Sequence, residues 1–134
     1  MICFISEPFA SRSLMVLFAL IIAFHLLVFF QVIPFQIVWG GRLNSVSEMY
    51  SFEAMSIALN LLMLAVVSVR SGVLSLGVNP RVIQVLLWLM TALFILNTVG
   101  NLLSINETEK LIFTPITLVL SIFCIRLALV TKQK

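Results

Sequence analysis

Polar residues in this chain gather at its two ends and in three short stretches between them, leaving four apolar runs that carry almost no charge. The first extends from Leu14 to about Phe35. It is longer than the apolar core of a secretory signal and lacks a small-x-small cleavage site, so it is expected to remain as a membrane anchor. The second follows Ser45-Val46-Ser47-Glu48, a capping box in which the hydroxyl takes the N–H three residues on and the glutamate reaches back to the cap. The third opens on Asn79-Pro80, a capping residue and then a proline at the first helical position, where the missing N–H costs nothing. The fourth opens on Asn106-Glu107-Thr108-Glu109, almost directly after the third ends.

These signals predict helices over about 14–36, 46–70, 80–104 and 107–130, each reaching the roughly 20 apolar residues that a bilayer crossing requires. The connection between the last two is short enough to force a tight hairpin. The expected fold class is all-α: an integral membrane four-helix antiparallel bundle, with 1–134 as a single membrane domain.

Composition sharpens this. Hydrophobic residues make up 62% of the chain and charged residues 10%, and the mean hydropathy is +1.22, whereas about a quarter of a soluble domain is charged. The bilayer is therefore the expected surrounding. The basic pI does not suggest nucleic acid as a partner, because the eight Lys and Arg residues are scattered at segment ends and form no stripe. They carry topology instead. Arg12, Arg70, Arg81, Arg126, Lys132 and Lys134 fall on one face and only Arg42 and Lys110 on the other. By the positive-inside rule both termini are expected to be cytoplasmic. Four of the five acids, Glu48, Glu53, Glu107 and Glu109, then lie on the outer side, with Arg42 as the exception to be explained.

Arg42 sits in "IVWGGRLN". One reading makes Trp39 an interfacial anchor, uses Gly40 and Gly41 to end the first helix, and pairs Arg42 with that helix end and with Glu48. Another has the Gly-Gly turn expose backbone N–H groups beside Arg42, making a small anion-holding nest. A third has the segment touch a partner protein.

Depth, counted at about 1.5 Å per residue, places His25, Asn60, Thr91, Thr117 and Ser121 near the bilayer midplane. Gln31, Glu53, Asn97, Thr98, Asn101 and Thr114 form a second layer further out, with Gln36 and Arg42 above it. The inner half holds fewer polar groups, and this asymmetry suggests a polar crevice opening outward. The alternative is interhelical hydrogen-bond glue, which is favoured for the Ser, Thr and Asn residues.

Glu53 differs in kind, since an acid inside the leaflet must be neutralised by a proton, a cation or a hydrogen-bond network. Arg42 is its expected partner by reach. Glu53, Ser56 and Asn60 share one helix face, the best candidate lining for the crevice. The acid would then exchange a proton or bind a cationic ligand, or else serve as half of a structural salt bridge. His25 is a candidate proton relay, haem ligand or structural residue. As the chain's one histidine it supplies a single axial position, and no cofactor or metal is expected.

Cys3 and Cys124 show no paired spacing and are not expected to bridge. Thr114, Thr117, Ser121, Cys124 and Ala128 form a small-residue face on the fourth helix that reads as packing. Pro34 is expected to kink the first helix and free the carbonyl of Phe30. No phosphate loop, zinc-protease motif, nucleophile elbow or internal repeat is present, and enzyme chemistry has no positive support.

The stretches "IVWGGRLNSVSEMYSFE", "LNTVGNLLS" and "EKLIFTP" resemble a family of small bacterial four-helix membrane proteins of no assigned activity, over about 31–115. The resemblance implies a bacterial inner membrane and carries over no functional residue. It highlights Trp39, Gly40, Gly41, Arg42, Glu48, Glu53, Asn97, Gly100 and Asn101.

The leading functional expectation is a binding module for a small amphipathic or lipid ligand. Its candidate residues are Arg42, Glu53, Asn60, Asn97, Asn101, Gln31 and His25. An accessory subunit of a larger membrane complex, or a homo-oligomer, is the alternative, and a membrane enzyme using His25 or Glu53 as acid or base comes third.

Overall fold

The computed structural model describes residues 4–130 and is entirely helical. Four long helices, α1 (Glu7–Phe29), α2 (Val46–Ser71), α3 (Pro80–Leu102) and α4 (Glu107–Leu129), are joined by short connections. Two single 3-10 turns, Phe35–Ile37 and Trp39–Gly41, interrupt the longest of them. All four helices are long and apolar enough to cross a membrane, the makeup of a multi-pass membrane protein. At 23 residues the shortest spans about 34 Å, more than a hydrocarbon core of about 30 Å.

The caps explain the boundaries. The Ser45 hydroxyl accepts from the Glu48 N–H at 3.1 Å, but the Glu48 carboxylate takes the N–H of Asn44, one residue before the expected one, at 2.9 Å. Asn79 accepts from the Arg81 N–H, and Asn106 from those of Thr108 and Glu109. Gly72, left-handed at φ 84°, closes α2.

The first helix departs from expectation at both ends. It begins at Glu7 because Ser6 caps the Phe9 N–H and Pro8 fits the first turn. It ends at Phe29 because the chain swings out through Gln31 at φ 59°. The N–H groups of Val32 and Ile33 then both return to the carbonyl of Leu27. Pro34 therefore stands beyond the helix and opens a 3-10 turn, so it kinks nothing.

The core is mainly apolar, with buried polar side chains set among it. Leu14 and Phe18 of α1, Val67 of α2, Leu87 and Phe94 of α3, and Leu120 and Leu127 of α4 meet in one cluster, with the rings of Phe18 and Phe94 5.9 Å apart. A second, smaller cluster of Val28, Val38 and Met49 seats the 30–45 connection on the end of the bundle. The opposite surface is just as apolar, with Leu20, Leu62, Leu89 and Leu111 half or more exposed. Such faces would drive aggregation in water and suit a lipid surround. Packing is closest within the pairs α1–α2 and α3–α4, weaker between α1 and α4, and weaker again between α2 and α3.

One end of the bundle is tied by Arg70, which pairs with Glu7 and donates to the carbonyls of Leu127 (3.4 Å) and Val130 (2.5 Å). Arg126 donates to the Ile5 carbonyl and Gln84 to that of Ala128 at the same end. Two residues expected only to mark topology are thus also structural ties. Cys124 is a buried free thiol in α4. Cys3, Lys132 and Lys134 lie outside the described residues.

Candidate functional site

The other end holds Glu53, eighth in α2 and therefore about 10 Å along the helix axis from its start. Its side chain has no exposed surface. Oε1 accepts a hydrogen bond from the indole N–H of Trp39 at 2.8 Å, and Oε2 lies 2.6 Å from Nδ1 of His25. A proton lies between Oε2 and Nδ1 whichever of the two groups owns it. Among the described residues no Lys or Arg forms an ion pair with Glu53.

This geometry corrects two expectations. His25 and Glu53 belong to one layer, not two, because α1 ends at Phe29 and His25 stands about one turn from that end, not at mid-depth. Arg42 is not the partner of Glu53. The reason lies in the backbone of the Trp39–Gly41 turn, where three successive residues are left-handed, at φ 56°, 66° and 68°. The turn directs the indole to the carboxylate and leaves Arg42 exposed at the rim. A bulky residue at positive φ costs roughly 1–2 kcal/mol. The bond to Glu53 and a ring contact with Phe52 at 5.0 Å offset that strain.

Trp39, expected as an interfacial anchor, is thus tied by its polar atom to the buried acid while 36% of its surface remains exposed. The N–H groups of Gly41 and Arg42 are consumed by the carbonyls of Val38 and Trp39, so they are not offered to an anion. Glu48 is occupied by the Asn44 N–H and makes no ion pair with Arg42.

The turn is fastened from above. A Cβ on buried Gly40 would stand 3.4 Å from Nε of Arg42, 3.6 Å from Oε2 of Glu109 and 3.7 Å from Oγ of Ser104. Ser104 donates to Glu109 at 2.5 Å and accepts the N–H of Asn106, whose side chain donates to the Ile37 carbonyl at 3.0 Å. The α3–α4 connection therefore clamps the loop that carries Trp39. In the sequence Glu109 stands three residues after the Asn106 cap, the place of a capping acid. Its one signal for a deeper role was Ser104 standing just ahead of the Asn106 cap.

The remaining candidates separate. Gln31 donates to the Tyr50 hydroxyl at 2.9 Å on the exposed rim. Asn60 is buried and donates to the Ser56 carbonyl of its own helix at 2.8 Å. Asn101 and Thr98 both meet Thr117 across α3 and α4, at 3.4 and 2.9 Å, which is interhelical glue. Asn97 is exposed, and among the described residues its side chain has no hydrogen-bond partner. Glu53 itself is fully buried, and the two cavities at the Glu7–Arg70 end are lined by none of these residues. Among the described residues no three His, Cys, Asp or Glu side chains converge as metal ligands. Comparison with protein families, with curated proteins and with solved structures returns no match, and no family is assigned to the chain.

Proposed function

We propose that this is a four-span protein of a bacterial inner membrane, an antiparallel bundle with both termini cytoplasmic. In this reading it binds a small amphipathic ligand at its outer end through Glu53. The antiparallel reading is supported by contacts of the start of α1 with the ends of α2 and α4, through Glu7–Arg70 and Phe9–Phe123. The scattered basic residues support the orientation.

The observation that carries the binding reading is the state of Glu53: an acid with no exposed surface, at membrane depth, held by Trp39 and His25 without a Lys or Arg ion pair among the described residues. Ionisable groups at that depth are expensive and are kept where they act. In this account the partly exposed Trp39 side chain is the partner that yields, rotating about its own bonds while the clamped turn stays in place. A ligand carrying an ammonium or another strong donor replaces Trp39 on Oε1, while its apolar part lies against the exposed faces of the bundle. His25 keeps its contact with Oε2.

The test is native mass spectrometry of protein extracted gently from its own membrane, beside Glu53→Gln. A small molecule retained by the unaltered protein and lost from the variant supports the reading; equal retention, or a bare chain in both, contradicts it.

A second reading, a subunit of a larger membrane complex, is favoured by Asn97, whose unpartnered amide lies on an exposed helix face close to Gly100. Stoichiometric co-purification with another membrane protein, weakened by Asn97→Leu, is its expected signature.

A further inference from the structure

At the end opposite Glu53 a partly open cavity of about 140 Å³ lies between the last turn of α2, the first turn of α3 and the end of α4. Its walls include Val69, Arg70, Val78, Arg81, Gln84 and Val130. A water's share of liquid volume is about 30 Å³, so the space suits a few waters or one tetrahedral anion. Its two charged side chains are both cationic. Arg70 is committed to Glu7 and to the α4 carbonyls. The Arg81 side chain is exposed, with no partner among the described residues.

The first-turn N–H groups of Arg81, Val82 and Ile83 are already taken by Asn79. The end of α3 therefore contributes its positive field and not its donors. Val78 lines the cavity just before α3 begins, and Val82 and Val85 stand exposed on α3 beyond it.

A second cavity, of about 330 Å³, is lined by Arg12 but also by Glu7, whose carboxylate cancels the attraction for an anion. Arg70 lines the first space and its partner Glu7 the second, and only the first is lined by basic side chains without an acid.

From this juxtaposition we infer that the Arg81 cavity is a phosphate-monoanion site, of the kind presented by an anionic phospholipid, with the acyl chains lying on the valine strip of α3. A guanidinium that is free to fork onto two phosphate oxygens, next to an apolar strip, matches both halves of such a lipid. The site is independent of the Glu53 reading and is unaffected by Glu53→Gln.

The experiment is native mass spectrometry of the full chain, delipidated in mild detergent and titrated with phosphatidylglycerol or phosphatidylcholine. Arg81→Gln, Arg12→Gln and Glu53→Gln are measured in parallel. The expected result is a preference for phosphatidylglycerol that falls about fivefold in Arg81→Gln, the worth of one arginine near a charged surface, and persists in the other two variants. Displacement of the lipid by excess inorganic phosphate assigns the site to the free anion, and resistance to displacement assigns it to the lipid. Equal binding of the two lipids, or a loss in Arg12→Gln as large as in Arg81→Gln, overturns the proposal. Thermal unfolding of Arg81→Gln at the unaltered temperature separates lost binding from lost fold.

Discussion

The indole N–H of Trp39 and Oε1 of Glu53 meet at 2.8 Å, and the backbone of Trp39 adopts a left-handed conformation in doing so. A residue that large rarely tolerates φ 56°. The contact therefore holds both groups: the acid gains a donor out of water, and the turn gains the partner that offsets its strain.

Removing the donor alone tests the size of this contribution. Trp39→Phe keeps an aromatic ring against Phe52 but loses the bond to the carboxylate. It is expected to lower stability by about 1–3 kcal/mol, the cost of leaving a buried acceptor without its donor. Unfolding in mixed micelles reads the difference, and a change within a few tenths of a kcal/mol would contradict the assignment.

The glycines of the chain should separate sharply. Gly40→Ala puts a Cβ on a residue held at φ 66°, where an L side chain is strained although its new neighbours stand at ordinary contact distance, and a loss of about 1–2 kcal/mol is expected. Gly100→Ala lies in a helix with nothing within 4 Å of the added carbon, and should be neutral or stabilising by about 0.5–1 kcal/mol. The same unfolding assay reports both.

Arg42→Gln is expected to change stability by no more than about 0.5 kcal/mol, as for other exposed surface positions. Among the described residues its guanidinium is in no ion pair. A loss as large as that of Glu53→Leu would restore the Arg42–Glu53 pairing that the fold replaces with Trp39.

Arg70→Met removes the tie between α1, α2 and α4 at the opposite end and leaves the Glu7 carboxylate and the carbonyls of Leu127 and Val130 without their donor. Loss of about 1–3 kcal/mol is expected, the cost of leaving largely buried acceptors without their donor. Glu7→Gln should cost less, because Glu7 is 26% exposed and water can reach it. The reverse order in unfolding experiments would show that the pair is not the main tie.

The fold was legible wherever the signal was local. Ser45, Asn79 and Asn106 announced three helix starts because a cap is a bond within three residues of chain. The first helix was misplaced because residues 30–38 are as apolar as the helix itself, and hydropathy does not register a helix end written in the φ of Gln31. That error moved His25 to the bilayer midplane and hid its contact with Glu53. The choice of Trp39 over Arg42 as partner was likewise out of reach, since reach alone favours a long cation. The outcome depends on the handedness of three residues and on a clamp from Ser104 and Glu109, some 65 residues away in the chain.

The most direct test of the Glu53 cluster is nuclear magnetic resonance of the ¹⁵N-labelled side chains of His25, Trp39 and Trp88, with Trp88→Phe to assign the indoles; the chain contains one histidine and two tryptophans. The account predicts that Glu53→Gln moves the Nδ1 resonance of His25 and the indole N–H of Trp39 together while that of Trp88 stays in place. Unmoved His25 and Trp39 resonances would contradict it, because neither side chain would then be bound to the buried carboxylate.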